Sequence, residues 1–188
     1  MNLNLSWDLF ILVFFAVVVA YSFIIGKNQT LKVILGTYMA ILCADGIGNL
    51  FGKYFAVSEA FLKFMKLFAI TNGEQSVVFF KVLVFLFFIV LISVRGLFHV
   101  DAEDNRPLSL RLIILFLMGL LSAGLMISTV LVFISGTSLI GAGATGNNIL
   151  TDVYQSSRLV RVMLDYSNLW FFLPGFSFIL LGVFHKKV

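Results

Sequence analysis

The sequence predicts an all-α integral membrane protein: four or five transmembrane helices with two amphipathic helices in the interface, forming one membrane domain over residues 1–188. Three observations carry that reading. Of the 188 residues, 61% are hydrophobic and only 12% charged. The mean hydropathy is +1.07. The apolar residues also gather in runs of membrane-spanning length rather than alternating with polar ones. A soluble domain is typically about half apolar and about a quarter charged, so charge this sparse cannot cover a water-facing surface.

The helices follow from these runs in chain order. Residues 9–25, "LFILVFFAVVVAYSFII", follow Trp7 and Asp8. No Lys or Arg precedes the run, and it exceeds the roughly 7–15 residues of a signal-peptide core. It reads as a retained span with Trp7 at the interface. After the short turn "GKNQT" a second helix occupies residues 31–55, a third 76–94 and a fourth 112–134. Each approaches the roughly 20 residues that cross a hydrocarbon core. A fifth run, 169–184, contains Pro174 and Gly175 and reads either as a kinked span or as a segment that dips in and returns.

Two connections are longer than turns. Residues 57–70 place Phe61, Leu62, Met65 and Phe68 at helical spacing among Glu59, Lys63 and Lys66. Residues 149–166 repeat apolar side chains at Ile149, Val153, Val160 and Leu164, with Thr151 or Asp152 available as a cap. Both read as helices lying in the interface. The 22 phenylalanines read as lipid-facing filler, Phe85 among them.

Composition excludes several functions. Cys43 stands alone, so there is no disulfide framework. The net charge of +4 comes from basic residues scattered between apolar runs, which speaks for lipid headgroups and against nucleic acid. His99 and His185 have no Cys or acid cluster at metal spacing, and no Ser–His–acid grouping suggests hydrolysis. No metal, cofactor or catalytic residue is expected. "GAGATG", residues 141–146, matches GxGxxG in letters but lacks the strand before it and the helix after it that nucleotide binding requires. It reads as a loop. Asp101, Glu103 and Asp104 read as a solvated loop before a Pro-started helix.

The informative segment is "GTYMAILCADGIGNLFG", residues 36–52. Gly36, Ala40, Ala44, Gly48 and Gly52 recur every fourth position, and at about 100° per residue they form a slanted ridge. Small ridges let membrane helices approach closely, and the fourth helix offers a counterpart in Gly119 with Ala123 and Gly124 with Ser128. Beside the ridge, Tyr38, Asp45, Asn49 and Gly52 form a polar stripe. A carboxylate near a bilayer centre costs about 2.5–3.5 kcal/mol on insertion scales, so it must be protonated, paired or facing water. Lys81, the basic residue inside another span, is within reach as a partner. The stripe reads first as structural, through a hydrogen bond such as Asp45 to Asn49 one turn later, or with Lys81 snorkelling to the surface. Its functional alternative is a proton or ion relay, or a polar seam through which the helices move.

The order of these features resembles the colicin V production protein (CvpA) family of small bacterial inner-membrane proteins. The likeness is carried by "SWDLFILV", by Gly26-Lys27 after the first helix, by the small-residue-rich second helix, by "GLLSAGLMI" in the fourth, and by the amphipathic "SSRLVRVML". It covers residues 6–165; the fifth run lies beyond it, and the basic residues after the first helix are sparser than the family pattern. The resemblance implies a non-enzymatic inner-membrane accessory or scaffold protein linked to peptide toxin production or export, or to envelope upkeep. It supplies no catalytic residues. The expected partners are the lipid bilayer and either further copies of the chain or a larger membrane protein. The alternative from another class is a small channel or proton-coupled transporter subunit using Asp45.

Orientation follows from the basic residues. With five spans, the N-terminal side carries five (Lys53, Lys63, Lys66, Arg158, Arg161) and the opposite side seven. The first helix tips the balance, with no positive charge before it and Lys27 and Lys32 after it. The N-terminus is therefore expected outside and the 95–111 loop in the cytoplasm. In a Cys43→Ser background, a cysteine at Asn4 should react with an impermeant label in intact cells and one at Arg106 should not. The reverse pattern overturns the orientation.

Overall fold

The computed structural model describes residues 6–54, 58, 63, 73–95, 107–136 and 151–185. Among these, every element is a helix: α1 (Trp7–Tyr54), α2 (Gly73–Arg95), α3 (Leu108–Ile134), α4 (Thr151–Ser156), α5 (Arg158–Asp165) and α6 (Ser167–His185). Three of them, α1, α2 and α3, are long and apolar enough to cross a membrane. The amphipathic helix expected over 57–70, apart from Ser58 and Lys63, lies outside the described residues, as do the 141–146 loop and Asp101, Glu103 and Asp104.

The first two expected helices are the two arms of α1, residues 7–25 and 27–54. The expected five-residue turn is a break at a single residue, Gly26, at φ 78° and ψ 173°. Only glycine adopts that backbone region readily. Helix resumes at once because the following residues are packed: Lys27, Thr30 and Leu31 are buried, and the Thr30 hydroxyl donates to the Gly26 carbonyl at 2.9 Å. Polar letters suggested a loop; burial makes them helix.

Contacts give the sense of each rod. Along the second arm, Gly36 faces Ile92, Gly48 faces Lys81 and Gly52 faces Val77, so that arm runs against α2. The first arm runs against α3, with Gly119 on Ser22 and Ile11 packed near Ile127 and Leu131. Helix α6 also opposes α3: Trp170 covers Gly124, while the Ser177 hydroxyl lies 4.0 Å from the Met118 sulfur.

Helix α3 is the central rod. Residues 122–129, "SAGLMIST", are buried in succession on every face, as befits a helix apolar all round. One core cluster joins Leu31, Ile34, Ala40, Ile41 and Ala44 to Val84, Phe85, Met118, Leu125 and Phe133. A second joins Ile11, Ile127 and Leu131 to Val160 and Met163 of α5. Phe85 is therefore not lipid-facing but fully buried. In a uniformly apolar run, composition cannot say which face meets a neighbour.

The segment expected as one helix over 149–166 is two short ones meeting at Ser157, which caps α5 by accepting from Val160 N–H at 3.1 Å. The fifth run is one continuous helix through Pro174, so it does not turn back there.

The break makes a clean prediction. An added Cβ at Gly26 meets nothing within 4 Å, so Gly26→Ala isolates backbone strain. It should destabilise by about 1–3 kcal/mol, read as a lower melting temperature in detergent. Gly46→Ala, equally unobstructed but within helix, should be neutral or up to about 1 kcal/mol stabilising.

Candidate functional site

The second arm, α2 and α3 enclose an ion pair. The Lys81 ammonium donates to Asp45 Oδ1 at 2.6 Å, with the two side chains 7% and 0% exposed. The ammonium also lies 5.7 Å from the centre of the Phe133 ring, and Phe133 meets Phe85 edge-on at 6.0 Å. Both rings are fully buried. Lys81 thus does not snorkel; its charge is matched by a carboxylate and an aromatic face. Asn49 sits one turn from Asp45, half-buried and itself engaged in an interaction.

The small ridge explains how a lysine enters the bundle. A Cβ on Gly48 would lie 2.2 Å from Lys81 Cγ, so the lysine stem crosses the helix where glycine leaves room. Gly36 receives Ile92 in the same way and Gly52 receives Val77, while Ala40 and Ala44 are fully buried. The ridge therefore receives side chains of α2. The counterpart expected in α3 is used otherwise: Gly119 seats Ser22 and Gly124 seats Trp170, with Ala123 and Ser128 buried nearby. Equal small-residue spacing on two helices does not say that they pair, since any bulky neighbour can fill either row.

Tyr38 leaves the stripe for α6. Its hydroxyl donates to the Phe171 carbonyl at 2.5 Å and accepts from Gly175 N–H at 3.0 Å. These two groups are spaced as partners in the helical ladder, so the hydroxyl is inserted between them beside Pro174. An inserted side chain and a proline are both recognised causes of helix distortion. Here the tyrosine keeps both freed backbone groups bonded, which an apolar setting demands.

Sequence reasoning missed a third polar junction. Asp8 Oδ1 accepts from the Ser157 hydroxyl at 2.6 Å and from Leu159 N–H at 2.9 Å, tying the start of α1 to the capped end of α5. A carboxylate is favoured there because the first turn of a helix presents unpaired N–H groups. The readable signal was the serine pair before "RLVRVML". Beyond it, the Tyr154 hydroxyl donates to Asp165 at 2.8 Å, and that bond holds the hydroxyl above its ordinary pKa.

Among the described residues, a cavity of about 240 Å³ and one of about 420 Å³ lie elsewhere in the bundle, lined by neither Asp45 nor Lys81. Among the described residues, no three of His, Cys, Asp and Glu converge as metal ligands. Comparison with protein-family models, curated proteins and solved structures finds no match to this chain.

Removing one member of the pair should leave the other charge buried. Asp45→Asn or Lys81→Met alone should each destabilise by about 3–5 kcal/mol, whereas the double variant should recover most of the loss. Gly48→Leu should also destabilise, since it claims the path of the lysine stem. A double-mutant cycle on detergent melting checks this; additive losses would show that the pair is not coupled.

Proposed function

We propose that this chain is a multi-pass protein of the bacterial inner membrane that works without catalysis, as an accessory or scaffold protein of the CvpA kind. In this reading both arms of α1, with α2, α3 and α6, cross the bilayer. Helix α5 lies at the outer interface, and the N-terminus is outside. The role is tied to peptide toxin production or export, or to envelope upkeep, through contact with further copies or a larger membrane protein. The family assignment rests on the sequence features alone.

The supporting observation is the Asp45–Lys81 pair. The two groups sit 2.6 Å apart in an aromatic enclosure, and a relay needs an ionisable group that exchanges protons or ions with a pathway. A carboxylate matched to a lysine whose ammonium lies against the Phe133 ring suits a bolt between helices better. Outward apolar residues are abundant, with Ile24 81%, Val17 61% and Ile179 61% exposed, offering faces for lipid and for membrane partners.

The test combines complementation with isolation. The double variant Asp45→Asn/Lys81→Met removes both charges and keeps similar shapes. If the pair is a bolt, this variant should complement a deletion strain and retain whatever partners co-purify with the parent in mild detergent. A double variant present at parental levels yet unable to complement would instead make the channel or transporter reading the leading one.

A further inference from the structure

The geometry points to a binding site for one anionic phospholipid in the crevice enclosed by the two arms of α1, α2 and α3, with an acyl chain in an apolar cavity and the phosphate at Lys32. The cavity has a volume of about 420 Å³, within the range of roughly 300–1,000 Å³ that small-molecule sites occupy. Its floor includes Phe85 and Ile127, 0% and 4% exposed, and its rim includes Phe10, Val17 and Leu86, all exposed. Along α2 it runs from Val82 to Ser93, roughly 16 Å at about 1.5 Å per residue. That is close to half of an approximately 30 Å hydrocarbon core, the depth of one leaflet.

At the Gly26 end the crevice changes character. A second cavity of about 240 Å³ shares Tyr21, Ile25, Val33, Ile89 and Ser93 with the first and adds Gln29, Lys32 and Thr37. The two hydroxyls at the junction, of Tyr21 and Ser93, lie 3.5 Å apart. One end is thus apolar and the other carries a half-buried ammonium with amide and hydroxyl groups beside it. An anionic amphiphile has the same division.

A further observation points to an occupant that carries a hydrogen-bond acceptor. Ser122 is 1% exposed and lines the apolar cavity, and its hydroxyl has no hydrogen-bond partner among the described residues. A buried hydroxyl left unpaired carries a desolvation penalty that a ligand acceptor would relieve. Gly119 packs on Ser22, and α3 runs against the first arm, so Ser122 lies roughly 4.5 Å deeper than that level.

The site rests on the membrane placement proposed above but not on the scaffold role, and recovery of the chain in the membrane fraction tests that placement separately. Native mass spectrometry of the full chain, titrated with phosphatidylglycerol or phosphatidylcholine of identical chains, tests the site. One phosphatidylglycerol should be retained about fivefold more strongly, the effect expected of one lysine beside an anionic headgroup. Lys32→Gln, at the half-buried mouth, should abolish the preference while lipid is still retained. Val18→Trp should fill the cavity and release both lipids, whereas Leu12→Trp, on the exposed face of the same arm, should change nothing. Glycerol 3-phosphate, which lacks acyl chains, should not compete. Equal retention of the two lipids by the parent, retention by Val18→Trp, or a dimer lost in Val18→Trp without bound lipid would each overturn the proposal.

Discussion

A charged pair with almost no access to water constrains everything around it. Asp45 and Lys81 come from different helices, and either one alone would be an uncompensated charge in an apolar bundle. Their contact therefore sets the register of the second arm of α1 against α2. Gly48 must be small so that the lysine stem can cross, and Phe133 must reach over from α3 to cover the ammonium. Three helices are indexed against one another by a single electrostatic requirement.

The same requirement, that no polar group be left without a partner, recurs at a smaller scale. Thr30, Thr37 and Thr129 each donate to the carbonyl one turn back, at 2.7–2.9 Å, which lets a hydroxyl sit inside an apolar helix. Tyr38 serves α6 at Pro174, and Asp8 serves the exposed N–H groups of α5. The Tyr38 and Asp8 bonds join parts of the chain far apart in sequence, so they also hold the bundle's outer elements on its core. The Ser122 hydroxyl and the Trp170 indole nitrogen, both buried atoms, are the groups to which this does not extend among the described residues.

Much of the site was legible, for a definite reason. An acid in a run this apolar has few physical options, so Asp45 and its reach toward Lys81 follow from the cost of a buried charge. The small ridge was legible as a place of close approach, but its partner was not. Gly36, Gly48 and Gly52 accept Ile92, Lys81 and Val77, while Gly119 and Gly124 accept Ser22 and Trp170. Spacing identifies a groove; it does not identify the side chain that fills it. Tyr38 shows the same limit, since its place on the stripe was right and its bond to α6 depends on an element more than a hundred residues away.

By itself the sequence determined that the chain is helical, that its long helices are apolar enough for a membrane, and roughly where those long helices begin and end. Those properties depend on composition and on contacts within a few residues. It also determined that Asp45 needed a partner, because solvation energy is a property of the group. Only the tertiary structure decided that the "GKNQT" segment is helix after one glycine, that Phe85 faces inward, and that the proline-containing run continues as one helix. Each depends on which neighbour supplies burial or a hydrogen bond, and in a chain apolar on nearly every face the pattern of residues does not distinguish lipid from protein.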